Sequence, residues 1–512
     1  MSAPSAVRVP DFFERRRVLL WALIALLFAV GLGVRLYDLD DLPLDFHPTR
    51  QLHSALMARG MYYPERSDLP DWQRVRANLQ RKLEAVIEPP IMERLAVQGY
   101  RMAGDALLWI PRLYSILFWM AGSLGVYLLV RTWEPPAAAL AAMAVYLLMP
   151  YAVTASRSFQ PDPLMTALVV FAWWALSRWT LKPGWRWLAA AGVLAGLAVL
   201  VKAVAVFWVA GAAAAAVLSV YGLRRVWRAP QAWVLAALIV LPYGIYHVYG
   251  VYVSGFLAGQ LTQRFFPGMW LDPGFYLRWI GTVGRVVGIE TAAAALLGTL
   301  LAHDRRQRAL LWGIWAGYLL CGLALPHHIS THDYYHLPLV PLAAFGLAPL
   351  AGLLFSALRG RTWREGALAA LVLLGVVALR AYDARTELKR SDYRPEAAFW
   401  QMLGERMGKD ARVAALTPDY GARLAYWGWI NAANWMTSSD FDFYGVSDRQ
   451  DAVVDAFVQT AEGKDYFLVT MLDELERQPE LKKILDGEYT LVESGSGYLL
   501  YDLRLPKGSA VP

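Results

Sequence analysis

Charge is scarce in this sequence. Only 18% of its 512 residues are Asp, Glu, Lys or Arg, against roughly a quarter in soluble proteins. Hydrophobic residues make up 57%, and the mean hydropathy is +0.34. That balance excludes a soluble enzyme and a disordered chain. Cysteine is almost absent as well. Cys321 stands alone inside an apolar run, which excludes an internal disulfide and hence a disulfide scaffold. No internal repeat, low-complexity tract, P-loop or dinucleotide fingerprint occurs, so nothing marks an ATP-driven pump.

What is present in quantity is apolar length. A membrane-spanning helix needs about 20 mostly apolar residues. About eleven such stretches are expected, near 18–36, 107–130, 136–153, 163–178, 187–202, 203–221, 230–249, 285–302, 309–326, 336–357 and 366–381. The fold class is therefore a polytopic α-helical membrane protein. The first stretch lacks a small-residue cleavage site and reads as a signal anchor behind a cytosolic tail, residues 1–17. The transmembrane domain occupies 18–381, with a long first external loop over 37–106. Residues 382–512 are expected to form a soluble extracytoplasmic α/β domain. Its helix-like segments are 395–408, 450–461 and 473–484, and its strand-like ones Arg412–Thr417, Tyr466–Leu472, Tyr489–Glu493 and Tyr498–Leu503.

Lys and Arg in short connections set the orientation. Alternate connections carry Arg15, Arg16 and Arg17; Arg131; Arg178, Lys182 and Arg186; Arg224, Arg225 and Arg228; Arg305, Arg306 and Arg308; and Arg359, Arg361 and Arg364. Only Glu134, Asp304 and Glu365 oppose them. These loops are read as cytosolic, which places the C-terminus outside. The net charge of +7 divides accordingly. Residues 381–512 hold 15 basic and 22 acidic residues, leaving 34 basic and 20 acidic in the rest. The basic excess is topological and implies no nucleic-acid partner. Trp179, Trp185 and Trp187 flank one basic loop as an interfacial belt. The Arg/Leu-rich stretch 72–87 reads as an amphipathic helix on the membrane surface.

On that topology seven of the eight histidines fall near external helix ends: His47, His53, His247, His327, His328, His332 and His336, with His303 on the cytosolic side. Four of them crowd the run His327–His336. The first loop opens with Leu44-Asp45-Phe46-His47-Pro48-Thr49-Arg50-Gln51. A carboxylate flanked by His and Arg suits a general base beside an anionic group, although Asp45 or Thr49 could instead cap a helix over 50–59. Arg157 to Asp162, ahead of Pro163, repeats the pattern of an arginine and an acid at a helix start. His332 and His336, at i and i+4 with Asp333 nearby, are candidate metal ligands or hydrogen-bonding residues of a helix start. A divalent cation shared between Asp45 or Asp162 and a substrate phosphate is the looser alternative. Lys202 is the only charge in the apolar run 187–221. It either snorkels to the interface or serves as a cation for a lipid phosphate, with Arg264 and Arg285 as companions.

Taken in order along the chain, these elements resemble the GT-C class of integral membrane glycosyltransferases, and most of all family 39, which includes protein O-mannosyltransferases and enzymes that add aminoarabinose to lipid A. Asp45 matches the first-loop acid of that family. Glu88-Pro89-Pro90-Ile91 resembles its Pro-Pro motif, and Arg157 to Asp162 its second acidic motif. Val201-Lys202 resembles a Leu-Thr-Lys-Gly-Pro element, and Asp333-Tyr334-Tyr335-His336-Leu337-Pro338 the late external Tyr-Leu-Pro segment. Phe46, Glu88 and Ala203 depart from the commoner Glu, Lys and Gly at those places. The resemblance implies a polyprenyl-phosphate-linked sugar donor, a protein, lipid or glycan acceptor, and inverting transfer on the extracytoplasmic side of a bacterial inner membrane. It implies Asp45 as base and Asp162 as a second catalytic residue, orienting the acceptor or holding a cation. Arg50, Arg157, Lys202 and Arg264 would bind the donor phosphate. His47, Glu88, Asp333, Tyr335, His332 and His336 would line the acceptor site, and Asp45, Asp162, His332 and His336 would hold any metal. The competing class is a transporter or lipid flippase, which would be expected to show repeated halves and broken helices at mid-membrane.

Overall fold

In the computed structural model, which describes residues 13, 16–258, 265–357, 363–443 and 449–507, helices fall on all eleven apolar stretches. Seven are long and apolar enough to cross a bilayer: Arg17–Leu36, Trp109–Val130, Asp162–Leu181, Ala205–Arg228, Pro230–Val253, Asp333–Ser356 and Arg364–Leu388. The remaining four stretches are irregular for identifiable reasons. The expected 136–153 span breaks at Met149, whose extended backbone satisfies the steric demand of Pro150, leaving Pro136–Leu148 and a short Pro150–Ala155 helix. The 285–302 stretch belongs to a bent pair, Pro273–Val287 and Ile289–Leu301, which turn through 89°. Gly288 makes that corner at φ 79°, where a side chain would be strained. Trp185–Val201 is apolar but only 17 residues long. Arg305–Ala324 has 20 residues, with three arginines crowding its first turn.

The chain divides into two compact units. The first comprises residues 1–39, 85–95 and 109–390 and holds the transmembrane helices. Two fully buried arginines tie its connections together. Arg35 donates from Nε to Ser156 Oγ (2.7 Å) and from Nη1 to the Leu147 carbonyl (2.8 Å). Arg112 reaches the carbonyls of Arg157 and Leu39, both at 3.1 Å.

The second unit contains residues 391–512 together with 40–84 and 96–108 from the first loop. Its C-terminal part is the expected small α/β domain, a five-stranded sheet in the order β2-β1-β3-β5-β4. The strands are β1 (Val413–Leu416), β2 (Ala433–Asn434), β3 (Tyr466–Val469), β4 (Tyr489–Gly495) and β5 (Tyr498–Pro506). β1 runs parallel to both neighbours, whereas β3, β5 and β4 alternate in direction. All four residues of β1 are buried, because helices cover both faces of the sheet. Leu416, Phe467 and Val469 pack with Trp435 and Phe457 on one side, and Val413, Ala415 and Leu468 with Trp400 and Leu424 on the other. The expected helix 473–484 is two helices, Leu472–Glu476 and Pro479–Glu488, parted before Pro479.

First-loop helices Pro48–Tyr62 and Asp71–Leu83 are built into this unit. They approach so closely at Gly60 that an added Cβ would lie 2.5 Å from the Ala77 carbonyl oxygen. Arg59, fully enclosed, donates to the Tyr426 carbonyl (2.6 Å) and to Gln80 Oε1 (2.7 Å). Its guanidinium lies 4.2 Å and 4.0 Å from the ring centres of Tyr426 and Trp429. Burial lowers the Arg59 pKa and pushes the Tyr426 phenol up to about 12. The opposite face of Asp71–Leu83 exposes Trp72, Val75, Leu79 and Leu83, an apolar stripe at helical spacing.

Candidate active site

The first-loop acid lies in the second unit. The helix Pro48–Tyr62 begins with Pro at its first position, and His47 occupies the N-cap in the left-handed region at φ 44° without a side-chain capping bond. Neither Asp45 nor Thr49 caps it. Thr49 donates instead to Asp419 Oδ1 (3.2 Å), a carboxylate also held by Arg423 Nε at 2.6 Å. Gln51, fully buried, donates to the Phe46 carbonyl at 2.7 Å and to Asp45 Oδ1 at 3.3 Å. The carboxylate of Asp45 is thus steered from inside while its side chain stays half-buried. The imidazole of His47 meets the Phe46 ring edge-on at 4.7 Å. Arg50 follows in the first helical turn, half-buried.

A second group belongs to the transmembrane unit. Asp162 opens the helix Asp162–Leu181, where the positive end of the helix dipole favours a carboxylate. Lys202 stands where the Trp185–Val201 helix ends and is extended at φ −155° and ψ 118°. The expected turn between two helices falls there. Its ammonium donates to both oxygens of Asp162, at 2.9 Å and 2.8 Å, and the two side chains are 4% and 1% exposed. Lys202 therefore does not snorkel. Ring centres of Tyr334 and Tyr335 lie 4.4 Å and 5.1 Å from the ammonium. Such a pair is costly to desolvate, and here each partner satisfies the other. Beside it, Tyr151 donates to Asp333 Oδ1 at 3.1 Å.

The histidines divide. His336 is buried, and both ring nitrogens are engaged. Trp279 Nε1–H donates to Tyr318 Oη (2.7 Å), whose hydroxyl lies 2.8 Å from His336 Nδ1, while His336 Nε2 lies 2.7 Å from the Ile329 carbonyl. A carbonyl can only accept, so Nε2 carries the proton and Nδ1 accepts from Tyr318. No lone pair remains for a metal, which corrects the reading of His336 as a ligand. Nor do His332 and His336 share a helical face. His332 terminates the short Pro326–Thr331 helix, and His336 ends the 3₁₀ turn Asp333–His336. His332 Nδ1 contacts Thr331 Oγ1 at 2.7 Å. His327, His328 and His332 form a ring cluster, with centroids 5.5 to 6.0 Å apart. Burial, with help from Arg278, lowers the His327 pKa. Among the described residues, no group of three or more His, Cys, Asp or Glu side chains is placed to hold a metal.

Of the candidate phosphate ligands, Arg157 is buried and its fork grips the carbonyls of Tyr37 and Asp38, each at 2.6 Å. Arg285 lies within the Pro273–Val287 helix and donates to Thr282 Oγ1. Arg264 lies outside the described residues. Glu88 sits in the irregular segment before the Ile91–Ala103 helix. Sequence reasoning did not single out Tyr151, Tyr318 or the buried arginines Arg35 and Arg112. An arginine within an apolar run is a default functional or structural signal, so Arg35 and Arg112 were findable on that ground.

These arrangements sit on a known architecture. The chain can be superposed along nearly its whole length on ArnT from Cupriavidus metallidurans bound to undecaprenyl phosphate, with a TM-score of 0.58, 17% identity, and coverage of 94% of this chain and 98% of that one. It is also similar to the archaeal oligosaccharyltransferase AglB from Archaeoglobus fulgidus, solved with an inhibitory peptide and a dolichol-phosphate. There the TM-score is 0.55 at 12% identity, covering 98% of this chain and 75% of AglB. A family model described as dolichyl-phosphate-mannose-protein mannosyltransferase matches residues 88–249. A search of curated proteins by sequence finds no match. The fold is that of the GT-C class, shared with ArnT and AglB.

Proposed function

We propose that this chain is a GT-C glycosyltransferase that moves a sugar from a polyprenyl-phosphate donor to an acceptor hydroxyl on the extracytoplasmic face of a bacterial inner membrane. The observation that carries the reading is the near end-to-end likeness to ArnT solved with undecaprenyl phosphate. The mannosyltransferase match over 88–249 supports the same chemistry. A polyprenyl-phosphate sugar keeps its tail in lipid and presents its phosphate at the interface, where it needs cations and a base but no nucleotide pocket.

Asp45 takes the proton of the acceptor hydroxyl as that oxygen attacks the anomeric carbon. The bond to the phosphate oxygen breaks, its electron pair leaves with the polyprenyl phosphate, and the configuration inverts. Gln51 keeps the Asp45 carboxylate aimed. Two of the three Lys202 N–H groups serve Asp162. The third is the one available to a donor phosphate, so Asp162 acts by fixing that ammonium. Arg50 is the further phosphate candidate. The clamp of Arg157 on two carbonyls fits a positioning role better than an ionic one. Protein, lipid and glycan acceptors all carry the hydroxyl required.

A panel of radiolabelled polyprenyl-phosphate sugars given to the full-length protein in nanodiscs tests the reading. With one donor the label should pass to an acceptor, or slowly to water, with release of polyprenyl phosphate. No turnover of any donor would overturn it. The orientation is tested separately by reporters fused after residue 400, which should be active outside the cytosol; a cytosolic signal would reverse the topology.

A further inference from the structure

Helices Ala205–Arg225 and Pro230–Val248 pack in the transmembrane unit and leave a groove of about 280 Å³ along their seam. It exists because the facing positions are small: Ala210, Ala213 and Ala214 on one helix, Ala232 and Ala236 on the other. On the second helix the lining runs from Ala232 to Val240. Eight residues of helix span about 12 Å, a little under half of a hydrocarbon core ~30 Å thick. Measured from its Trp233 end, the groove is therefore about one leaflet deep along that helix.

Its shallow end is chemically distinct. Gly222, at φ 69° and ψ 164°, breaks the first helix in a conformation that a side chain would strain. The chain then makes a short 3₁₀ turn over Val226–Arg228. This break brings Arg224, Arg225 and Arg228 to the end of the groove lined by Val226, Trp227 and Trp233, and all three arginines are exposed. Trp233 Nε1 donates to the Trp227 carbonyl at 3.1 Å, and the two rings stand 6.2 Å apart as an interfacial pair. Not one Asp or Glu occurs between Asp162 and Asp272, and among the described residues none of the three arginines is ion-paired. An apolar slot one leaflet deep, with three unneutralised cations at its mouth, is complementary in shape and charge to a lipid carrying an anionic head.

We propose that this groove and its arginine rim bind an anionic glycerophospholipid of the leaflet that the positive-inside rule makes cytosolic. One acyl chain lies in the alanine-lined slot, and the headgroup phosphate sits on Arg224, Arg225 and Arg228. Within a bilayer the slot gains only packing, because lipid surrounds it anyway. Preference among lipids therefore comes from the headgroup. The arginine rim lies 22 residues beyond Lys202 in sequence and takes no part in the transfer chemistry, although Val206 at the far end of the lining follows Lys202 by four residues.

The test is native mass spectrometry of the full-length protein released from nanodiscs of equimolar phosphatidylglycerol and phosphatidylcholine. Phosphatidylglycerol should be retained in excess, and the excess should shrink as salt rises and the screening length falls from ~10 Å to ~3 Å between 0.1 and 1 M. Replacing Arg224, Arg225 and Arg228 singly and together by Gln should cut the preference by roughly fivefold per arginine, about 1 kcal/mol each. These exposed positions should leave the melting temperature in phosphatidylcholine unchanged, which separates loss of binding from misfolding. Ala214→Leu, which fills the slot, should lower retention of both lipids. Equal retention of the two lipids by the unaltered protein would overturn the proposal. So would an unchanged preference in the triple variant. Displacement of phosphatidylglycerol by equimolar polyprenyl phosphate would assign the site to the donor instead and equally overturn it.

Discussion

Asp45→Asn is expected to lower the turnover number by 10² to 10⁴-fold, the range that a positioned general base supplies, with little change in donor KM. The substitution is nearly isosteric. Its amide oxygen can still accept from Gln51, so the local frame persists. What disappears is the ability to take a proton at neutral pH. Because the side chain is half-buried and caps no helix, thermal stability should change by less than about 1 kcal/mol, as for most substitutions away from packed or paired sites. The measurement is single-donor kinetics on protein whose melting temperature has been matched to the parent. Turnover within a few-fold of the parent would remove Asp45 from the chemistry, whatever the fold resembles.

The second large effect concerns the buried pair in the transmembrane unit. Asp162→Ala should cost about 3–5 kcal/mol, because it strands the Lys202 ammonium with only ring faces for company. Lys202→Met should cost a similar amount by stranding the carboxylate. The double variant Asp162→Leu with Lys202→Met should be far less damaged than either single one, since a well-packed apolar pair can replace a buried ionic pair at little cost. Equilibrium unfolding of the three proteins in one detergent measures the coupling, and strictly additive losses would show that the two groups do not depend on each other. The double variant also separates two roles. If Lys202 only braces the helices, donor binding returns with stability. If its ammonium also meets the donor phosphate, binding stays weak in a stable protein.

How much of this was visible in sequence depends on the range of each interaction. Helix positions follow from local apolar length, so they were legible. So was the turn at Lys202, the one charge interrupting a long apolar run. Strands β1, β3, β4 and β5 fell where alternation and β-branched or aromatic residues place them. Breaks were harder. Met149-Pro150 and Gly288 carry the relevant backbone signals, but neither residue announces whether a helix kinks, breaks or turns through 89°. Long-range pairing left no local trace. Asp162 and Lys202 are 40 residues apart, and Arg59 finds the Tyr426 carbonyl 367 residues away. A helix-start acid and an apolar-run lysine were each recognisable, but their union was not. The histidine run misled for the same reason. An i, i+4 spacing presumes a continuous helix, and the chain changes direction at His332.

That long reach has a consequence for how the protein is made. Residues 40–84 belong to the same compact unit as residues 391–512, so the stretch bearing Asp45 emerges early and its partners emerge last. The paired groups are 367 and 370 residues apart, which at 5–20 residues per second is about 18–74 s of synthesis. Throughout that interval the Arg59 side chain has no Tyr426 or Trp429 to enclose it, and Thr49 has no Asp419. The Arg59 and Thr49 contacts can close only once residues 419–429 have been made, so the first loop reaches its final packing late in synthesis.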